Sequence, residues 1–207
     1  EKLTVKCGEG TATYDPAEKT LTLNNAEITK SNFDADNYGI RAKSSDVLNI
    51  KLIGNNKINL PENGGIMVDD SVYIYGDGKL TMEVLWGGIS TFGNVGIYEK
   101  AELDIKANGG VAIASKGVYI YDSTVKAIGF DAGIDAVTLA IVNSEAVLEA
   151  TENERNAAFM RKEDGITSYI NIVNSKVKAK SYYPALYTPG SIIFDGGEAE
   201  CISTDDS

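Results

Sequence analysis

A short unit recurs down this chain, and repetition at that scale constrains the fold more than any other feature. A unit of two or three dozen residues cannot bury its own apolar face and must stack against copies of itself. The unit is marked by a small residue followed by a hydrophobe: Gly39-Ile40, Gly65-Ile66, Gly88-Ile89, Gly110-Val111, Gly133-Ile134, Ala158-Phe159 and Ala185-Leu186. These marks lie 22 to 27 residues apart. A fixed pattern at variable spacing places the insertions in loops.

Within each unit hydrophobicity alternates with period two, as in Val72-Tyr73-Ile74-Tyr75 and then Leu80-Thr81-Met82. That period belongs to strands and not to helices. A second strand recurs as Ile50/Leu52, Val72/Ile74, Val95/Ile97, Val118/Ile120, Leu139/Ile141, Ile170/Ile172 and Ile193. A third recurs as Ile58/Leu60, Leu80/Met82, Leu103/Ile105, Val125/Ala127, Ala146/Leu148, Val177/Ala179 and Ala199/Cys201. Between them runs a column of bend formers, Gly54, Gly76, Glu99, Asp122, Asn143, Asn174 and Asp195, nearly all tolerant of the left-handed backbone a sharp corner needs. No leucine-rich consensus with a helical segment is visible, which sets a horseshoe aside. The prediction is an all-β, single-stranded right-handed parallel β-helix, a solenoid of about seven coils of three strands.

The outward positions of the third strand carry Thr81, Asp104, Lys126, Val147, Lys178 and Glu200 in one column and Glu83, Lys106, Ile128, Glu149, Lys180 and Ile202 in the next. Opposite charges fall one coil apart, about 4.8 Å in a parallel ladder, as expected of a solvated face. Residues 1–37 depart from the repeat and are read as an N-terminal cap and first coil, with 38–207 as β-helix repeats of the same domain. Thr11-Ala12-Thr13-Tyr14 and Thr20-Leu21-Thr22-Leu23 flank a turn at Asp15–Lys19, so the cap is expected to hairpin over the first coil. At the other end a strand runs straight into polar Ser203-Thr204-Asp205-Asp206-Ser207, and the expectation is a longer protein beyond it.

Three phrases carry a resemblance: Tyr14-Asp15-Pro16 to Leu21-Thr22-Leu23-Asn24-Asn25, then Leu52-Ile53-Gly54-Asn55-Asn56-Lys57-Ile58, then Ile74-Tyr75-Gly76-Asp77-Gly78-Lys79-Leu80-Thr81. They resemble secreted β-helical repeat proteins of Gram-positive anaerobes in the pectate-lyase-like superfamily, related to a carbohydrate-binding type. The resemblance covers most of the chain, though its motifs are structural turns and strand cores. It implies an extracellular or cell-surface location and a polysaccharide, or another surface protein, as partner.

Charge and composition narrow the chemistry. A net charge of -11 and the absence of any basic patch exclude nucleic acid as a partner. No run approaches the roughly 20 apolar residues that a spanning helix needs, so membrane insertion is not expected. The chain has no histidine and no glutamine, which removes Ser-His-Asp and Cys-His nucleophiles and the residues that β-helical hydrolases and esterases use. Cys7 and Cys201 fall at opposite ends of the stack, roughly 30 Å apart at the ladder spacing and beyond disulfide reach. Each is expected to act as a small buried hydrophobe.

Three groups of side chains are candidates for function. The first-strand outward positions, Arg41, Met67, Ser90, Ala112, Asp135, Met160 and Tyr187, place Asp131 and Asp135 near Arg155 and Arg161 of the next coil. A calcium-dependent polysaccharide lyase would need such carboxylates for the ion and an arginine to take a proton next to a uronate carboxylate. Asp69-Asp70, Asp34/Asp36 and Glu163-Asp164 are further candidate calcium ligands, against the plainer reading of solvated loop acids. No cofactor is certain; calcium is the candidate.

The aromatic groups are more distinctive. Alternation turns Tyr73, Tyr75, Tyr98, Tyr119 and Tyr121 outward on the second strand, with Tyr75, Tyr98 and Tyr121 expected to stack one per coil. Ile53 before them and Val142, Val173 and Phe194 after extend an apolar strip. A second strip of Trp86, Phe130, Tyr182, Tyr183 and Tyr187 borders the first-strand groove. Tyrosine suits stacking on sugar rings or anchoring a protein contact. Aromatic neighbours also stabilise a pleated surface without any ligand. The leading expectation is a secreted, non-catalytic module that binds polysaccharide or mediates surface adhesion. The alternatives are a calcium-dependent lyase acting through Asp131, Asp135 and Arg161, and a structural or protein-interaction repeat of a larger surface protein.

Overall fold

A computed structural model describes residues 1–31, 37–43, 46–152 and 155–204. Among them there are strands and turns and no helix. The strands stack in parallel as a β-solenoid with three faces. The first face is a separate seven-stranded sheet running from Tyr38–Ala42 to Leu186–Tyr187. The second and third faces share one sheet, because the last two strands, Tyr169–Ser181 and Ser191–Ser203, run continuously around the corner between them.

Inward side chains form ladders on every face, more than one on the second and third, and together they are the core. On the second face Leu21, Ile50, Ile74, Ile97, Ile120, Ile141, Ile172 and Phe194 stand in register. On the first, Ile40, Ile66, Ile89, Ile113, Ile134, Ala158 and Leu186 do the same. Ile58, Met82, Ile105, Ala127, Leu148 and Ala179 close the third. Branched side chains dominate because they pack well on a pleated surface, and every central member is buried.

Two of the seven anchor pairs shift in the structure. Ile113, not Val111, registers with Ile89 and Ile134, and Ala158 takes the inward place that the repeat pattern assigns to Phe159. The outward first-face column is therefore Arg41, Met67, Ser90, Ala114, Asp135, Phe159 and Tyr187, with Ala112 and Met160 buried instead. Ile192 and Phe194, not Ile193, take the inward register in the last coil, so the bend falls at Gly196 and not Asp195. A one-residue slip exchanges the faces of a strand, and Ile192-Ile193-Phe194 is apolar in either phase. Ile192 and Phe194 stay exposed, because the strand Ser191–Ser203 has a pairing partner on one side only.

The first three strands, Leu3–Cys7, Gly10–Asp15 and Thr20–Asn24, form an antiparallel meander. It continues the second-face sheet beyond the first coil, and its Cys7, Ala12, Tyr14 and Leu21 pack half-buried against the core. Leu3 and Val5, on the outermost strand, are exposed. Both cysteines are free and sit at opposite ends, Cys7 half-buried against the core and Cys201 exposed on the last coil, so neither is the fully buried hydrophobe expected.

The corner between second and third faces is held by backbone conformation and hydroxyls. Asn25, Gly54, Gly76, Glu99, Asp122, Asn143, Asn174 and Gly196 all take positive φ there. Behind them Ser123, Ser144 and Ser175 form a buried ladder: Ser123 N donates to Ser144 Oγ and Ser144 N to Ser175 Oγ, each at 3.1 Å. The Ser144 hydroxyl donates in turn to the Val142 carbonyl at 2.7 Å. Ser144→Ala strands the Ser123 amide in a buried site and is expected to cost about 1–3 kcal/mol, read from the urea midpoint at unchanged m-value.

The charged columns of the third face pair as expected. Glu83 meets Lys106 at 3.4 Å, Asp104 meets Lys126 at 3.3 Å, Glu149 meets Lys180 at 3.6 Å, and Lys178 meets Glu200 at 3.1 Å. Lys79 and Glu102 pair in the same way. These are solvated contacts of small individual worth, and they mark this face as the hydrated side.

Candidate ligand-binding groove

The second-face tyrosines turn outward but pack on one another. Tyr98 stacks on Tyr121 at 5.7 Å with an 11° interplanar angle, and meets Tyr73 edge-on at 5.9 Å. The run is thus Tyr73–Tyr98–Tyr121, and not the Tyr75–Tyr98–Tyr121 ladder expected from sequence. The cause is Gly96, where a Cβ would fall 2.3 Å from the Tyr98 ring. Lacking one, Gly96 leaves a gap that the ring fills. Tyr119 brings its hydroxyl within 3.3 Å of Thr138 Oγ1, and Tyr169, absent from the sequence candidates, lies beside both. Burial pushes the Tyr98 and Tyr169 phenols above the ordinary tyrosine value. None of these rings ranks as exposed.

The apolar strip is also shorter than expected. Lys51, not Ile53, registers with Tyr75, since the bend at Gly76-Asp77-Gly78 begins two residues earlier on its strand than the bend at Gly54. Val142 and Val173 do continue the Tyr121 column, but Asp195 replaces Phe194 at its end. The patch is an aromatic cluster flanked by charge. Much of its ring surface is spent on cross-strand packing.

The first face is where aromatic surface is offered to solvent. Phe92, which no sequence pattern singles out, is 75% exposed, Trp86 53% and Tyr187 43%. Phe130 and Tyr183 are also exposed. Phe159, turned outward by the corrected register, stacks on Tyr187 at 5.2 Å and 8°, as a two-ring pair on the outer side of the first face. Trp86 is fixed by donation from its indole N–H to the Glu62 carbonyl at 3.0 Å. Tyr182 lies 5.8 Å from Tyr183 and is half-buried.

Two hollows open along this face. One, about 340 Å³, is lined by Ser90, Phe92, Ala114, Lys116, Arg161 and Glu163. The other, about 410 Å³, is lined by Asp131, Asp135, Arg155, Asn156, Phe159 and Tyr183. The repeat spacing places Asp131, Asp135, Arg155 and Arg161 near one another, and the structure brings them together as ion pairs. Arg161 Nε lies 2.7 Å from Asp135 Oδ1, and Arg155 Nε 3.4 Å from Asp131 Oδ1. Arg161 also donates to the Ser115 carbonyl at 2.7 Å, so its guanidinium is held at the junction of the hollows.

Burial raises the Asp135 carboxyl above its ordinary value of 3.8, with Asp131 adding to the rise and Arg161 opposing it. A raised folded-state pKa means the folded protein binds this proton more tightly than the unfolded chain. Its contribution to stability is therefore present below about 3.8 and lost as pH rises through the folded value. Asp135→Asn should flatten that part of the profile of melting temperature against pH. An unchanged slope would show that the carboxyl titrates normally.

The candidate calcium acids are engaged in protein contacts. Asp69 pairs with Arg41 at 2.5 Å, Asp70 Oδ1 accepts from the Ser71 amide at 2.6 Å, and Glu163 pairs with Lys116 at 2.9 Å. Asp164 is exposed; Asp34 and Asp36 lie outside the described residues. Among the described residues no three Asp, Glu, Cys or His side chains gather in a metal-holding group. No helix of the described chain is long and apolar enough to cross a membrane. Compared with protein-family models, with curated proteins and with solved structures, the chain matches none.

Proposed function

We propose that this chain is a secreted, non-catalytic module that binds polysaccharide at the cell surface, and that it does so on its first face. One observation carries the reading: aromatic side chains line both hollows on that face, exposed Phe92 in one and exposed Tyr183 with Phe159, itself stacked on Tyr187, in the other. Flat rings beside fixed Asp and Arg groups suit the apolar faces and hydroxyl edges of a sugar. The resemblance of the sequence phrases to secreted β-helical repeat proteins, related to a carbohydrate-binding type, supports the same reading, and the absence of histidine supports its non-catalytic part. A glycan array probed with the whole chain, with calcium and again with chelator, tests it. Saturable binding to a defined set of polysaccharides in both arms is expected. No binding in either arm would retire the reading in favour of a structural or protein-contact repeat.

A second reading has one observation in its favour, the meeting of Asp131, Asp135 and Arg161. It is a calcium-dependent uronate lyase. Arg161 would first have to leave both Asp135 and the Ser115 carbonyl to serve as a base. Polygalacturonate with calcium should yield no absorbance from unsaturated product; its appearance would install the lyase.

A further inference from the structure

The two hollows discriminate between kinds of glycan, an inference that rests on the glycan reading above. Each cation lining them has its own carboxylate: Lys116 with Glu163 at 2.9 Å, Arg155 with Asp131 at 3.4 Å, Arg161 with Asp135 at 2.7 Å. Three positive groups face three negative ones. Among the described residues no cation of the lining is left over to receive a carboxylate or sulfate. The site is locally neutral within a chain of net charge -11, whose field opposes the approach of a polyanion. An acidic polymer would have to break these pairs and leave Asp131, Asp135 and Glu163 facing its own charges.

A neutral chain meets the same groups differently. Carboxylate and guanidinium side chains fixed against one another offer acceptors and donors without a net charge to neutralise, and ordered charged groups make the stronger hydrogen bonds. The hollows are also disposed as a track. The first-face outward column runs Ser90, Ala114, Asp135, Phe159, Tyr187, four ladder steps or roughly 19 Å at about 4.8 Å each. Arg161 lines one hollow and Asp135 the other, so their ion pair marks the crossing point.

We infer that the first face takes a neutral glycan chain laid across both hollows along the solenoid, with the Asp135–Arg161 pair as its central hydrogen-bonding point. Short sugars fill one hollow; longer ones fill both. Calorimetric titration of the whole chain with neutral oligosaccharides of the β-glucan, xylan and mannan types, from disaccharide to hexasaccharide, and with oligogalacturonates, reads this directly. A neutral hexasaccharide is expected to bind at least tenfold more tightly than its disaccharide, with oligogalacturonate undetected. In the double variant Asp131→Asn with Glu163→Gln, which frees Arg155 and Lys116, oligogalacturonate binding should appear. If the wild-type chain prefers oligogalacturonate, the inference falls while the glycan reading stands. If the neutral series shows no dependence on length, the two-hollow track falls. If nothing in either series or on the array binds, both fall.

Discussion

Gly129→Ala is expected to destabilise the solenoid by about 3 kcal/mol or more, the upper end of what overpacking costs. Gly129 ends the strand Thr124–Gly129 and stands in register between Ala107 and Ala150. A Cβ there would lie 1.8 Å from the Ala132 carbonyl oxygen, 2.7 Å from its carbon and 2.9 Å from the Ala112 amide nitrogen. All three are backbone atoms of neighbouring first-face strands, so no side chain can rotate away to make room. The requirement is space and not dihedral freedom, since Gly129 is not among the residues of positive φ. Gly165 supplies the contrast: its φ is +79° and a Cβ placed there would have nothing within 4 Å. Gly165→Ala should cost only about 1–2 kcal/mol, from left-handed strain alone. Urea unfolding of the two variants beside wild type decides between them. A Gly129→Ala protein as stable as Gly165→Ala would mean that the bend into the first face has slack. Because stacked coils are stabilised by their nearest neighbours, the damage should also spread to the coils on either side.

That asymmetry between the two glycines shows what is and is not legible in the sequence. Strand type, the three faces and the inward ladders of the central coils follow from period-two alternation alone, since Ile74, Ile97 and Ile120 admit one phase only. The opposite charges one coil apart on the third face are legible for the same reason. Register fails wherever a bend changes length or a strand is apolar on both sides. The repeat pattern points to Gly110-Val111 in place of Ala112-Ile113, to Phe159 in place of Ala158, and to Ile193 in place of its two neighbours. Each slip moves an aromatic or apolar side chain to the wrong face, and two of them bear on function. One hides Phe159 from the first-face groove, and the other adds Phe194 to the second-face strip. Gly96 is visible in the sequence, but its effect on Tyr98 depends on which ring lies over it. Phe92 stands alone between Thr91 and Gly93, and no pattern of spacing marks a lone loop aromatic as part of a groove.

Replacing Phe159 and Tyr187 together by alanine should weaken glycan binding at least tenfold, equivalent to about 1.4 kcal/mol or more, with a loss of fold stability no larger than a stacked aromatic pair contributes. The two stacked rings stand at one end of the proposed track, and large aromatic groups are where binding energy concentrates at a contact. Tyr187 is exposed, and Phe159 packs on it and not into the core ladder, whose place is held by Ala158. The second-face pair should behave in the opposite way. Tyr98→Ala with Tyr121→Ala removes a stacked pair and reopens the gap at Gly96. Aromatic pairs contribute about 0.5–1.5 kcal/mol beyond the area they bury, so that double variant should lower the unfolding midpoint while leaving affinity unchanged. Titration and urea unfolding on both double variants form a two-by-two comparison in which only the first-face variant moves affinity. Loss of binding in the Tyr98/Tyr121 variant with retention in the Phe159/Tyr187 variant would transfer the ligand to the second face. The first-face hollows would then be spacing between loops, and the exposed rings of Phe92 and Trp86 would need a different partner.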